Sequence, residues 1–162
     1  MELPDHNRKI HSQILSIFQS LLQIRVVGKG RNKCQDFFCL FWEGVSPVEY
    51  DFSEGFVVPG KETAAFLEEA LATLGLTDQE ANEFLIYWLP KMEGNPYNLI
   101  AFQDEVYTEN AALSISPTPD TLLRIFMAWK GLEEPVEIEP QVLTPTPRTG
   151  FTVVEWGGAE VQ

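Results

Sequence analysis

Residues 61–90, KETAAFLEEALATLGLTDQEANEFLIYWLP, hold two consecutive helical repeats inside a chain otherwise written in short strands, and that contrast sets the fold class. Ala65, Phe66, Leu67, Ala70, Leu71 and Leu74 recur at spacings of three and four, which gives a helix one apolar side, and Gly75 supplies the stop. Thr77-Asp-Gln-Glu80 has the form of a capping box, in which a hydroxyl and a carboxylate three residues apart satisfy free N–H groups at a helix start. The second helix carries Ala81, Phe84, Leu85, Trp88 and Leu89, and Pro90 is expected to end or kink it. So short a connection predicts an antiparallel helix hairpin.

On both sides of this hairpin the pattern shortens to strands and turns. Downstream of Gly94-Asn95-Pro96 come NLIAFQ (98–103), AALSIS (111–116), TLLRIFMAWK (121–130), VEIE (136–139) and GFTVVEW (150–156), separated by Pro, Asp and Gly. In the longest, Leu123, Ile125, Met127 and Trp129 share a core face, and Arg124, Phe126, Ala128 and Lys130 share a mixed one. Upstream, FFCLFWEG (37–44) is apolar on both alternating sets, which suits a strand covered on both faces, and VEYDF and FVVPG predict one or two more. The expected class is α+β: a mostly antiparallel sheet or sandwich with a central helix hairpin and an extra N-terminal amphipathic helix.

That helix is read from RKIHSQILSIFQSLLQIRVV (8–27), where Ile10, Ile14, Ile17, Phe18, Leu21, Leu22 and Ile24 follow a mostly helical period up to Gly28. Ser16, Gln19, Ser20 and Gln23 interrupt the apolar run and no small-x-small site follows, so neither a cleaved signal nor a membrane span is expected. The basic stretch GKGRNKC (28–34) lacks the spacing of a phosphate-binding loop, and Cys34 and Cys39 with His6 and His11 do not make a zinc pattern. Residues 1–36 are therefore read as helix and linker, and 37–162 as a single α+β domain. A chain of 162 residues buries roughly 68–70% of its unfolded surface and needs no disulfide staple. Its net charge is −13, but unevenly spread: residues 1–40 hold six basic and three acidic residues, the remainder five and twenty-one. A body of that sign repels phosphate backbones, which argues against a nucleic-acid partner.

The series LFWEG (40–44), YDFSEGFVV (50–58), YWLPKM (87–92), NPYNLIAF (95–102), LRIFMAWKGL (123–132) and RTGFTVVEWGG (148–158) resembles a bacterial domain family without an assigned activity, found often in secreted or surface-associated proteins. The likeness covers roughly residues 40–158 and is to the C-terminal half of the larger family unit. It implies a shared fold and an extracytoplasmic or cell-surface setting, and it implies no catalytic residues.

Aromatic residues stand beside acids or amides at Trp42-Glu43, Tyr50-Asp51, Tyr97-Asn98 and Glu155-Trp156. Flat rings next to hydrogen-bonding groups suit a sugar-binding surface, and paired carboxylates suit a glycosidase. The plainer expectation is core tryptophans with acids at strand ends. A cross-strand ion pair explains Arg124 and Glu155 together, and turn hydrogen bonds explain Asn95 and Asn98, although with Lys91 these could bind an anion or a glycan. Candidate binding residues are thus Trp42, Glu43, Asp51, Asn95, Tyr97, Asn98, Arg124 and Glu155. No catalytic residue, metal ligand or cofactor is assigned; Asp51 and Glu54 near Gly55 lack the calcium-loop ladder. The expected function is a noncatalytic interaction or structural module of a surface-type bacterial protein, with a protein or glycan partner. The alternative is a hydrolase acting on glycans or peptides through acidic residues.

Overall fold

The computed structural model describes residues 48–161 and, as backbone only, two strands at Lys9–Leu15 and Cys39–Val45. In chain order the elements are β1 (Lys9–Leu15), β2 (Cys39–Val45), β3 (Glu54–Pro59), α1 (Thr63–Leu74, led by a 3-10 turn at Gly60–Glu62), α2 (Asp78–Met92), β4 (Tyr97–Phe102), α3 (Asp104–Asn110), β5 (Thr121–Leu132), β6 (Glu139–Pro140) and β7 (Thr152–Glu160). The strands form one sheet in the order β2-β1-β7-β5-β4-β3-β6.

This is an α+β fold, but the sheet is mixed rather than mostly antiparallel, and the described strands form one sheet rather than a sandwich. β5 and β7 run parallel at its centre, Thr121 opposite Thr152 through Trp129 opposite Glu160, and β6 runs parallel to β3. Alternation along a strand reports which side chains share a face and says nothing of strand direction, so the parallel junction was not readable. The expected N-terminal helix is also corrected: Lys9–Leu15 is a strand, seated between β2 and β7 with both ladders antiparallel. Pairing on both sides satisfies the backbone groups of the segment and outweighs its weak helical periodicity. The rest of the expected helix, 16–27, lies outside the described residues.

The hairpin forms as expected. Leu67, Ala70, Leu71 and Leu74 of α1 and Ala81, Phe84, Leu85, Trp88 and Met92 of α2 are buried. Gly75 turns the chain at φ 104°, a conformation open to glycine, and the Thr77–Glu80 capping box is complete. Pro90 does not end α2, which runs on to Met92. Both helices cover one face of the sheet: Leu123, Ile125, Met127 and Trp129 meet Val154, Trp156, Ile100 and Phe102 in the main core. Gly158 permits the close approach, since a Cβ there would come within 2.9 Å of the Trp88 ring and 2.5 Å of the Met127 carbonyl. On the opposite face, Tyr107 of α3 stacks on Phe126 at 4.3 Å, and Tyr50 stacks beside it at 5.3 Å.

Three further expectations are corrected. AALSIS (111–116) and VEYDF (48–52) contain no strand, and of VEIE (136–139) only Glu139 pairs, in the two-residue β6. The short helix α3 was not expected. Parallel β5 and β7 require a long crossover, and residues 133–151 supply it as an extended strap containing Pro135, Pro140, Pro145 and Pro147, which neither a helix nor a central strand would tolerate. Side chains anchor the strap instead. Gln141 accepts from the Phe102 N–H at 2.8 Å and donates to the Phe102 carbonyl at 2.7 Å. Arg148 donates to both Glu80 oxygens at 2.6 and 3.1 Å.

Candidate functional site

The outer face of the sheet, opposite the hairpin, carries the polar groups. At residue 102 the chain leaves β4 and turns into α3, so β5 loses its ladder partner. The Gln103 N–H still donates to the Phe126 carbonyl at 2.7 Å, and the Asp104 side chain then substitutes for backbone, accepting the Phe126 N–H at 2.7 Å. Burial drives the Asp104 carboxyl up to about 6, the Phe126 N–H opposes the rise, and the neighbouring Glu105 adds to it.

Two residues along β5, Arg124 donates from Nε to Glu155 on β7 at 2.6 Å, the cross-strand pair expected of these positions. The second Glu155 oxygen accepts from the Tyr107 hydroxyl at 2.8 Å, and the Arg124 guanidinium lies 4.7 Å from the Tyr107 ring centre. Glu155 is 1% exposed and Arg124 8%. Each charged group is thus fixed by partners inside the protein, which is the condition under which a buried ion pair is tolerated.

The other candidates are dispersed. The Asn95 amide donates to Asn98 at 2.7 Å, and the fully buried Asn98 donates to Thr63 at 2.9 Å and to the Met92 carbonyl at 3.0 Å. These amides pin the start of β4 to both helices, as turn-forming asparagines should. Tyr97 is half-buried at the end of β4, opposite Pro59 and Leu132. Lys91 donates to the Tyr87 carbonyl at 2.7 Å and sits 3.6 Å over the Tyr87 ring. Asp51 is exposed and accepts the Ser53 N–H and hydroxyl, each at 2.8 Å, bonds that lower its pKa. Trp88, Trp129 and Trp156 are each 1% exposed and belong to the core. Trp42 and Glu43 lie in β2 opposite Ser12 and His11, and their side chains fall outside the described residues.

Concavities open on the described surface, three of them bearing on the residues above. A cleft of about 490 Å³ is bordered by Asp51, Glu54, Gln103, Asp104 and Gln141, and one of about 420 Å³ by Asp104, Glu105, Glu109 and Arg124. Asp104 lies on both. A third, about 930 Å³, runs along β3 and is lined by Phe52, Phe56, Phe66 and Val136–Pro140. Among the described residues no tryptophan or tyrosine lines any of the three. Among the described residues no group of three His, Cys, Asp or Glu side chains is arranged to hold a metal, and no helix is long and apolar enough to cross a membrane.

Sequence reading missed Asp104, Tyr107 and the β3 groove. The acid pair Asp104-Glu105 is a first-turn signal that would have marked α3, but the groove is assembled from three separate segments and leaves no local trace. Comparison with known proteins found no matching family model, no matching curated protein and no matching solved structure.

Proposed function

We propose that this chain is a noncatalytic protein-interaction module, in the surface-type bacterial setting that its motifs imply. One observation carries the reading: the sequence-predicted polar candidates are bonded within the fold, while a wide and largely apolar concavity lies beside a strand incompletely paired among the described residues. Arg124, Glu155, Asn98 and Asp51 all have intramolecular partners. A glycan site of the stacking type needs exposed flat rings, and among the described residues these three concavities have none from Trp or Tyr. The hydrolase alternative has Asp104 in its favour, a carboxyl at about 6 that faces two clefts. It also needs a second carboxylate; Asp51 is held by Ser53, and Glu54, Glu105 and Glu109 are the other acids on these two clefts.

The test exposes the full chain to arrays of decapeptides and of glycans, and incubates it in parallel with peptide and polysaccharide pools read by mass spectrometry. Retention of peptides without change in their mass is the expected result. Cleavage products that appear with the native chain and vanish with Asp104→Asn would replace this reading with the hydrolase.

A further inference from the structure

Building on the interaction-module reading, we propose that the groove beside β3 receives an extended basic segment of a partner protein as an added strand. On its inner side β3 is paired through Phe56–Pro59 with β4, while among the described residues its outer side is paired only at Glu54 and Gly55, with Glu139 and Pro140. The direction of the remaining groups follows from alternation. The Gly60 N–H donates inward to the Pro96 carbonyl at 3.1 Å, and the Gly55 carbonyl accepts from the outer side, from the Gln141 N–H at 3.4 Å. Odd-numbered residues of this strand therefore present their backbone outward, which leaves the Val57 N–H and carbonyl facing the groove. Among the described residues no backbone group takes them up. Pro59, which has no N–H to offer, closes the far end, so the edge invites one short strand rather than an extended sheet.

The walls specify what that strand should carry. Phe56 and Phe66, in contact at 4.9 Å, are half-buried against the hairpin-side core, Phe52 is half-buried against the cluster on the opposite face, and Val136 and Ile138 complete the apolar lining. Alternate side chains of an added strand would enter this apolar trough. Glu137 and Glu139 are exposed on its lining, Glu54 starts the strand, and among the described residues no Lys, Arg or His lines the groove. Lys130 approaches one end only, 5.1 Å from the Phe52 ring. An acidic rim over an apolar floor favours a peptide that alternates apolar and basic residues.

The experiment measures fluorescence anisotropy of the full chain with labelled decapeptides that alternate valine with lysine, valine with glutamate, and valine with lysine carrying N-methyl groups on alternate backbone nitrogens. The lysine peptide is expected to bind at least tenfold more tightly than either of the others, and more weakly as salt rises. Exchanging both Glu137 and Glu139 for Lys should remove most of that preference. Val57→Pro should reduce binding of the lysine peptide at least tenfold, because it blocks an N–H that the native ladder does not use. The N-methylated peptide tests the same bond without altering the protein, should that variant fail to fold. Equal binding of the glutamate peptide would overturn the basic partner, and equal binding of the N-methylated peptide would overturn strand addition. Either outcome leaves the interaction module standing, whereas cleavage of the peptides would overturn the module itself.

Discussion

At Asp104 two requirements oppose each other. Phe126 needs an acceptor where β4 departs, and the carboxylate that supplies it must leave water to do so. The folded group titrates at about 6 against an ordinary 3.8, so the folded chain binds this proton more tightly than the unfolded one. Stability from this source is complete below about pH 4 and is lost as pH rises through 6, a difference of about 3 kcal/mol at most. Asp104→Asn keeps an oxygen for Phe126 and removes the charge. It is therefore expected to stabilise the protein at pH 8 by up to about 3 kcal/mol, with the gain fading toward zero by pH 4. Urea unfolding at pH 8, 6 and 4 measures this, and a gain that does not change with pH would exclude it. Arg124 and Glu155 show the opposite solution, in which each charge keeps its partner. Their pairing was legible because both sit on long alternating strands, whereas Asp104 was not, because its role depends on where a neighbouring strand stops.

The start of α2 shows what an element owes to its own sequence and what it owes to distant chain. Glu80 closes the capping box on the Thr77 N–H at 2.8 Å and binds Arg148, 68 residues away, through two hydrogen bonds. Burial pushes its carboxyl up most strongly, but Arg148 and Thr77 together outweigh burial and hold it below its ordinary value. A lowered carboxyl contributes stability above its unfolded pKa and loses it as pH falls through the folded one. Glu80→Ala is expected to cost about 3 kcal/mol at pH 7 by breaking a largely buried pair, and Arg148→Ala less, because the arginine is partly exposed. Both losses should shrink below pH 4; equal losses at pH 7 and pH 3 in denaturant titrations would rule out the pairing as their source. The capping box was readable because its donors and acceptors lie within four residues. Arg148 was not, because the Pro-rich strap places it by tertiary path. The same limit explains β1: Ile10, Ser12 and Ile14 alternate with His11, Gln13 and Leu15, so both periods were present in the text, and only the slot between β2 and β7 selects the strand. At seven residues, α3 is too short for periodicity to reveal.

Across the whole molecule these local titrations meet a net charge of −13. Faces of strands and helices were legible because burial selects them, but the order β2-β1-β7-β5-β4-β3-β6 depends on long-range pairings that leave no periodic mark. The strap that makes the parallel β5–β7 junction possible joins the β4 end, through Gln141, to the hairpin turn, through Arg148. Acid therefore acts on the molecule in two opposing ways. Lowering the pH from 8 neutralises Asp104 and relieves the mutual repulsion of carboxylates, both of which favour the folded state. Lowering it further protonates Glu80, whose carboxyl is held below 4.5, and releases the Arg148 anchor. Maximum stability should therefore fall at about pH 4 to 4.5, well below neutrality, where the Asp104 contribution is almost complete and the Glu80 contribution has only begun to fade. Urea midpoints from pH 3.5 to 8 in dilute protein would locate it. Asp104→Asn should flatten the alkaline limb and Glu80→Ala the acid limb, and 1 M salt should weaken the repulsive part while leaving the Asp104 part, which arises from burial. A native profile that climbs steadily to pH 8 would mean that neither the buried carboxyl nor the excess negative charge controls the stability of this fold.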